Sequence, residues 1–210
     1  KIPDSKSNLK NDDLEIVQQE EEKIPDFQTV FKTLQFSSFN MIDGVLSQKE
    51  MILFNEAESL IRSGNNVKAL GNLKVIKDNL QGKPDSAKSA VNFLIARAYY
   101  NEARYTLSLE NSHRAIKFCS DWSGLKVRAL FLAGINYEKL DQIEKTRIIF
   151  KKIIGSANVS EVLGKYVKFR LEEIEAKLGI IDEGNNGEKS IKDNKKIKKA
   201  ENKKNKKVKE

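Results

Sequence analysis

Cys119 and His113 are the chain's one cysteine and one histidine, and they stand six residues apart in a stretch of helical pattern. At 3.6 residues per turn a six-residue step puts the two side chains on different helix faces, so they do not form a thiolate–imidazole pair. One thiol and one imidazole also fall short of a four-ligand zinc site, and a single cysteine excludes an internal disulfide framework. The chain has no glycine-rich phosphate loop, no paired His and carboxylate spacing and no nucleophile motif. These residues point to a protein without catalysis, cofactor, metal or small-molecule substrate. His113 reads as a surface or boundary residue, and Cys119 and Trp122 as packing residues near a hairpin junction.

Chemistry of a different kind lies in the charges. Between Lys189 and Glu210 eleven lysines face only Asp193, Glu201 and Glu210, which accounts for the whole net charge of +8. The first 188 residues therefore carry 27 charges of each sign, with an acidic head in which Asp4, Asp12, Asp13, Glu15, Glu20, Glu21 and Glu22 outnumber Lys1, Lys6 and Lys10. Lysine clusters attract phosphate and anionic surfaces. The tail, however, has no aromatic ring for base stacking and no arginine for bidentate contacts, and the body is neutral. A solvated spacer is the favoured reading of the tail, ahead of a nucleic-acid or membrane-surface binder.

The elements that must position any site are helices. Three prolines, eleven glycines and long stretches rich in Ala, Leu, Ile, Lys and Glu favour an all-α chain. Residues 1–22 lack an apolar period and read as a disordered acidic segment. Residues 23–46 form a Phe-rich segment, with Phe27, Val30, Phe31 and Leu34 in a helical stripe and Phe36, Phe39, Met41, Ile42, Val45 and Leu46 beyond it. This segment is expected to cap the first repeat, to fold back as an intramolecular ligand, or to bind a partner. Residues 47–180 form the main domain, and 181–210 a disordered Lys-rich tail. No apolar run approaches the length of a membrane-spanning helix.

Within the main domain, Ser47 with Glu50 makes a capping box that starts a helix, and Gly64 is placed to stop it. A second helix follows over about 66–80. Further pairs are predicted over 86–103 with 105–118 and over 124–139 with 142–154, then a last helix over 160–178 closed by Gly179. Three hairpins plus one helix repeat every 38 to 39 residues. In register stand Ala57, Ala96 and Gly134, then Leu60, Tyr99 and Tyr137; in the second helices Ala69, Ser108 and Thr146, then Leu73, Ser112 and Phe150, then Ile76, Ala115 and Ile153. Small residues let helices approach closely while large ones fill the space beside them.

At Ala133-Gly134 with Tyr137 and Phe150, and at Ala96 with Tyr99, Tyr105 and Ala115, the sequence resembles the tetratricopeptide repeat family over roughly residues 48–179. It departs from the family in its longer spacing, in the first repeat's missing tyrosine and in the absence of a proline closing the second or third hairpin. The resemblance implies a right-handed helical-hairpin solenoid of about three repeats with a C-terminal capping helix, whose first helices line a concave groove. Glu172, Glu173 and Glu175 would give that cap a polar outer face.

Under this register Phe54, Phe93, Phe131 and Phe169 occupy one equivalent position. Two readings stay open. The rings are core between repeats, or their exposed edges form an apolar strip that receives a peptide or helix. The second makes Phe54, Phe93, Phe131 and Phe169 partner-binding residues, with Arg97, Tyr100, Asn101 and Arg128 as groove neighbours that set orientation. The family's chaperone-binding members clamp a terminal carboxylate with Lys and Asn; here Phe stands in place of the Lys, although Arg97, Asn101 and Arg128 could still hold one acidic group. The functional expectation is a protein–protein interaction scaffold or adaptor, with homo-oligomerisation through the Phe-rich segment as a further arrangement. The Lys, Asn and Ile bias fits an AT-rich bacterial genome. A chain opening on Lys rather than Met suggests an envelope protein on the periplasmic side that has lost an export or anchor segment, with the cytoplasm as the alternative.

Overall fold

The computed structural model describes residues 24–33, 42, 44–119, 124–157 and 159–180. The acidic head, the Lys-rich tail, Trp122 and residues 34–41 of the Phe-rich segment lie outside the described residues. Among the described residues the fold is all-helical: α1 (Phe27–Thr33), α2 (Gln48–Arg62), α3 (Asn66–Asp78), α4 (Asp85–Asn101), α5 (Tyr105–Phe118), α6 (Gly124–Lys139), α7 (Ile143–Ile154) and α8 (Glu161–Lys177). None of these helices is long and apolar enough to cross a membrane.

Local chemistry starts and stops the helices. Ser47 caps α2: its hydroxyl accepts from the Glu50 N–H at 3.4 Å, and its own N–H donates to the Glu50 carboxylate at 2.8 Å. That N–H holds the Glu50 carboxyl below its ordinary range, and Lys83 Nζ, 3.0 Å away in the α3–α4 connection, adds to the effect. Ser160 caps α8 through the Leu163 N–H, and Asp26 caps α1 by accepting from the Thr29 N–H at 2.9 Å.

Four helix ends share one backbone device. Gly64, Ala103, Asp141 and Gly179 all have positive φ, between 55° and 82°. After each, the next N–H reaches back five residues: Asn65 to Leu60 O, Arg104 to Tyr99 O, Gln142 to Tyr137 O and Ile180 to Glu175 O, at 2.8–2.9 Å. This pairing satisfies carbonyls that a helix end leaves bare. In the first three cases a new helix begins at once, so the chain turns straight back on itself. The positions lie 38 or 39 residues apart, matching the side-chain register.

Inside each hairpin the two helices cross at the small residues. Ala57, Ala69, Ala96, Ser108 and Thr146 are wholly buried. Ser108 Oγ donates to Ala96 O at 2.8 Å, and Thr146 Oγ1 to Gly134 O at 3.3 Å, so the hydroxyl of one helix meets the bare backbone of the other. A Cβ on Gly134 would stand 2.5 Å from Phe150 Cε1 and 2.9 Å from Cδ1. The largest second-helix residue at this level thus faces the smallest first-helix residue.

Consecutive helices pack in chain order from α2 to α8, and α2 also meets α4 and α4 meets α6. The α3, α5 and α7 row shows no comparable packing. The α2/α4/α6 row is the more closely packed one. One apolar core runs through the whole stack, from Val30 to Ile174. The last helix differs from its expectation. Glu175 does not belong to a polar outer face; it is buried against α7, taking Arg147 Nε at 2.9 Å and Lys151 Nζ at 2.7 Å. Glu172 is exposed and Glu173 half-buried.

Two substitutions test this packing through urea unfolding. Gly134→Ala is expected to cost about 1–3 kcal/mol, because the added methyl must displace a buried ring, and Phe150→Leu in the same chain should recover part of the loss. Ala103→Gly should gain roughly 0.5–1 kcal/mol, since the left-handed conformation penalises a Cβ by about 1–2 kcal/mol and glycine's chain entropy returns part of that.

Candidate protein-binding groove

The residues that sequence spacing singles out lie on α2, α4, α6 and α8, though not as an open strip. Phe54, Phe93 and Phe131 are each 0% exposed. Phe131 stacks on Phe150 of α7, with centroids 6.2 Å apart, and meets Tyr166 of α8 edge-on at 5.8 Å. The reading in which these three rings present edges to a partner is therefore corrected: they belong to the core. The physical reason is that each sits on a helix packed by neighbours on several sides, and in α4 the run Ser89–Ala98 is buried without interruption. Phe169 is half-buried.

Asn101 also departs from its expected place beside the arginines. It is exposed and donates to Asn66 Oδ1 at 3.1 Å, while Asn66 donates to Glu102 at 3.0 Å, so it ties the end of α4 to the start of α3.

Arg97 and Arg128 come together around a carboxylate, Glu58, which spacing also puts on the groove-facing side of its helix. Glu58 on α2, 3% exposed, pairs with Arg62 at 2.7 Å and acts electrostatically on Arg97 and Arg128. Arg97 is itself only 3% exposed, and its Nε and Nη1 have no hydrogen-bond partner. Burial lowers its pKa to about 10; Glu58 opposes the shift, and the charges of Arg62 and Arg128 add to it. Burial also lowers Arg128, again against Glu58. Three guanidiniums thus surround one carboxylate.

Over Arg97 lies α1. The Arg97 guanidinium sits 5.8 Å from the Phe31 ring centroid. Phe31 packs on Tyr100 at 5.2 Å, and Phe27 touches Phe31, Tyr100 and Tyr166 at 5.3, 6.2 and 6.2 Å. Val30, between them on the same face, is 0% exposed. Burial pushes the Tyr100 and Tyr166 phenols upward, so both remain neutral. Arg170 of α8 pairs with Glu138 of α6 and with Glu173, closing the far side. Beside Phe27 a cavity of about 270 Å³ stays open, lined by Tyr100, Ile135, Glu138, Tyr166 and Arg170.

Phe27, Val30 and Phe31 are the α1 residues that meet this surface. Their i, i+3, i+4 stripe is visible in the sequence, and a fold-back into the groove is one of the three arrangements it leaves open. His113 and Cys119 stay apart: His113 pairs with the Tyr137 hydroxyl at 2.8 Å, and Cys119 Sγ lies 2.8 Å from Ser89 Oγ. A larger cavity of about 530 Å³ lies between α3 and the α4–α5 turn, lined by residues including Leu70, Lys74, Tyr99 and Arg104. It is open to solvent and contains no buried unpaired donor.

The fold and this face define an all-helical protein with an aromatic and cationic groove. No protein-family model, curated protein or solved structure matches the chain.

A buried guanidinium with two unmade hydrogen bonds costs stability that the Phe31 ring only partly offsets. Arg97→Met keeps the stem's volume and removes the charge, leaving Glu58 paired with Arg62. Its unfolding free energy in urea at neutral pH is expected to rise by about 1 kcal/mol; a fall of that size would mean that Arg97 is satisfied where it stands.

Proposed function

We propose that the protein is a non-catalytic interaction scaffold whose groove receives a helical segment of a partner protein, on a tetratricopeptide-like stack of about three hairpins with α8 as its cap. The observation that carries this reading is that the α4/α6/α8 face already holds a helix. Tyr100, Tyr166 and Arg97 clasp two rings of α1. Aromatic walls with a buried cation are the kind of surface on which helix anchors gain most of their energy, because rigid rings bury area at little entropic cost. The recurrence of the turn geometry every 38 or 39 residues supports the stacked-hairpin reading.

The test is capture from native lysate on the full chain carrying Phe27→Ala/Phe31→Ala, beside the same bait with Tyr100→Ala added. Captured proteins are then re-expressed and titrated singly. A specific protein whose affinity drops about tenfold or more with Tyr100→Ala is the expected result. Binding that instead vanishes on raising salt or removing residues 189–210, whatever stands at position 100, would replace the groove with the Lys-rich tail as the binding element.

A further inference from the structure

The groove's present contents describe its proper ligand. Two features of α1 mark it as an incomplete fit. It leaves the 270 Å³ cavity beside Phe27 unfilled. Above all, it sets an aromatic ring over Arg97 and offers no acceptor to the two buried donors beneath. Glu58 acts electrostatically on Arg97 but is hydrogen-bonded to Arg62 at 2.7 Å. A carboxylate arriving from outside would accept a charge-assisted bond from one of these donors and neutralise the guanidinium; Nε and Nη1 lie on different edges, so one carboxylate does not bridge both.

We infer that α1 is an exchangeable intramolecular occupant of the groove. The partner it stands in for is an amphipathic helix with aromatic, aliphatic and aromatic residues at i, i+3 and i+4 and a carboxylate directed at Arg97. The inference rests on the groove being the partner site. Its consequence is selection: a tethered occupant competes at high local concentration, so a helix that merely copies the α1 stripe is excluded, while one that also completes Arg97 displaces it.

The test uses two fluorescein-labelled helical peptides of about twenty residues in an alanine, lysine and glutamine host. Both carry Phe, Val and Phe at i, i+3 and i+4; one has Glu at i+7 and i+8 and the other has Gln there. Each is titrated by fluorescence anisotropy into the full chain and into the full chain with Phe27→Ala/Phe31→Ala. Val30→Asp, which ejects α1 while keeping both rings, serves as a second opened form, and circular dichroism checks that both retain their helices.

The opened forms are expected to bind the Glu peptide about tenfold or more tighter than the native chain, because α1 no longer competes. They should prefer it to the Gln peptide by about tenfold, and that preference should disappear with Arg97→Met. Equal affinity for native and opened chains would overturn the role of α1 as occupant. Equal affinity for the two peptides would overturn the carboxylate at Arg97. Failure of either opened form to bind any peptide would overturn the helix as ligand class, while Tyr100-dependent capture of a partner would still leave the broader function standing.

Discussion

Each hairpin depends on one close crossing, at a point where one helix carries almost no side chain and the other brings a small residue against its backbone. At Ala96 and Gly134 the approach is tight enough for the hydroxyls of Ser108 and Thr146 to reach the facing carbonyl oxygens. Such contacts gain from dispersion on both sides and leave no buried hydroxyl unsatisfied. Everything further out inherits this spacing. It brings Phe131 against Phe150 and Tyr166, and it sets α4, α6 and α8 so that Tyr100 and Tyr166 stand within reach of the same ring, Phe27. A looser crossing would spread that row and separate the two tyrosines.

The groove reverses the economy of the core. In the core every large ring is closed in and nearly every polar group has a partner. On the groove floor Arg97 is as buried as a core residue yet keeps two donors unmade. A well-packed aliphatic chain there would serve folding better. Retaining a guanidinium at such a place makes sense as stored binding potential, released when an acceptor arrives. The aromatic stripe of α1 covers the site without discharging it.

Much of the scaffold was legible in the sequence because the signals were local. The Ser47–Glu50 capping box, Gly64 and Gly179 act through neighbouring atoms, and the expected bounds of α2 to α8 fall within about two residues of those found. Ala103 and Asp141 escaped notice because neither residue type announces a left-handed backbone; the hairpin imposes it. The recurring phenylalanines could not be assigned to groove or core by spacing, since a helix buried on nearly all sides, as α4 is, loses the amphipathic contrast that separates its faces. Spacing puts Glu58, Arg97 and Arg128 on one side of their helices, but the detour of Asn101 to Asn66 is a long-range fact. The docking of Phe27, Val30 and Phe31 is of the same kind: the stripe is written in the chain, and which of its three possible destinations it takes is not.

The most direct measurement of this account is an isotope-filtered NOE between the Phe31 and Tyr100 rings, whose centroids lie 5.2 Å apart. One sample carries both labels on the same chain; the other mixes chains labelled only at phenylalanine with chains labelled only at tyrosine. With α1 in the groove of its own chain, a clear Phe31–Tyr100 cross-peak is expected in the first sample and none in the second. A cross-peak missing from both would contradict α1 in the groove, and one that persists in the mixed sample would show that the groove is filled by a second copy of the chain rather than by its own α1.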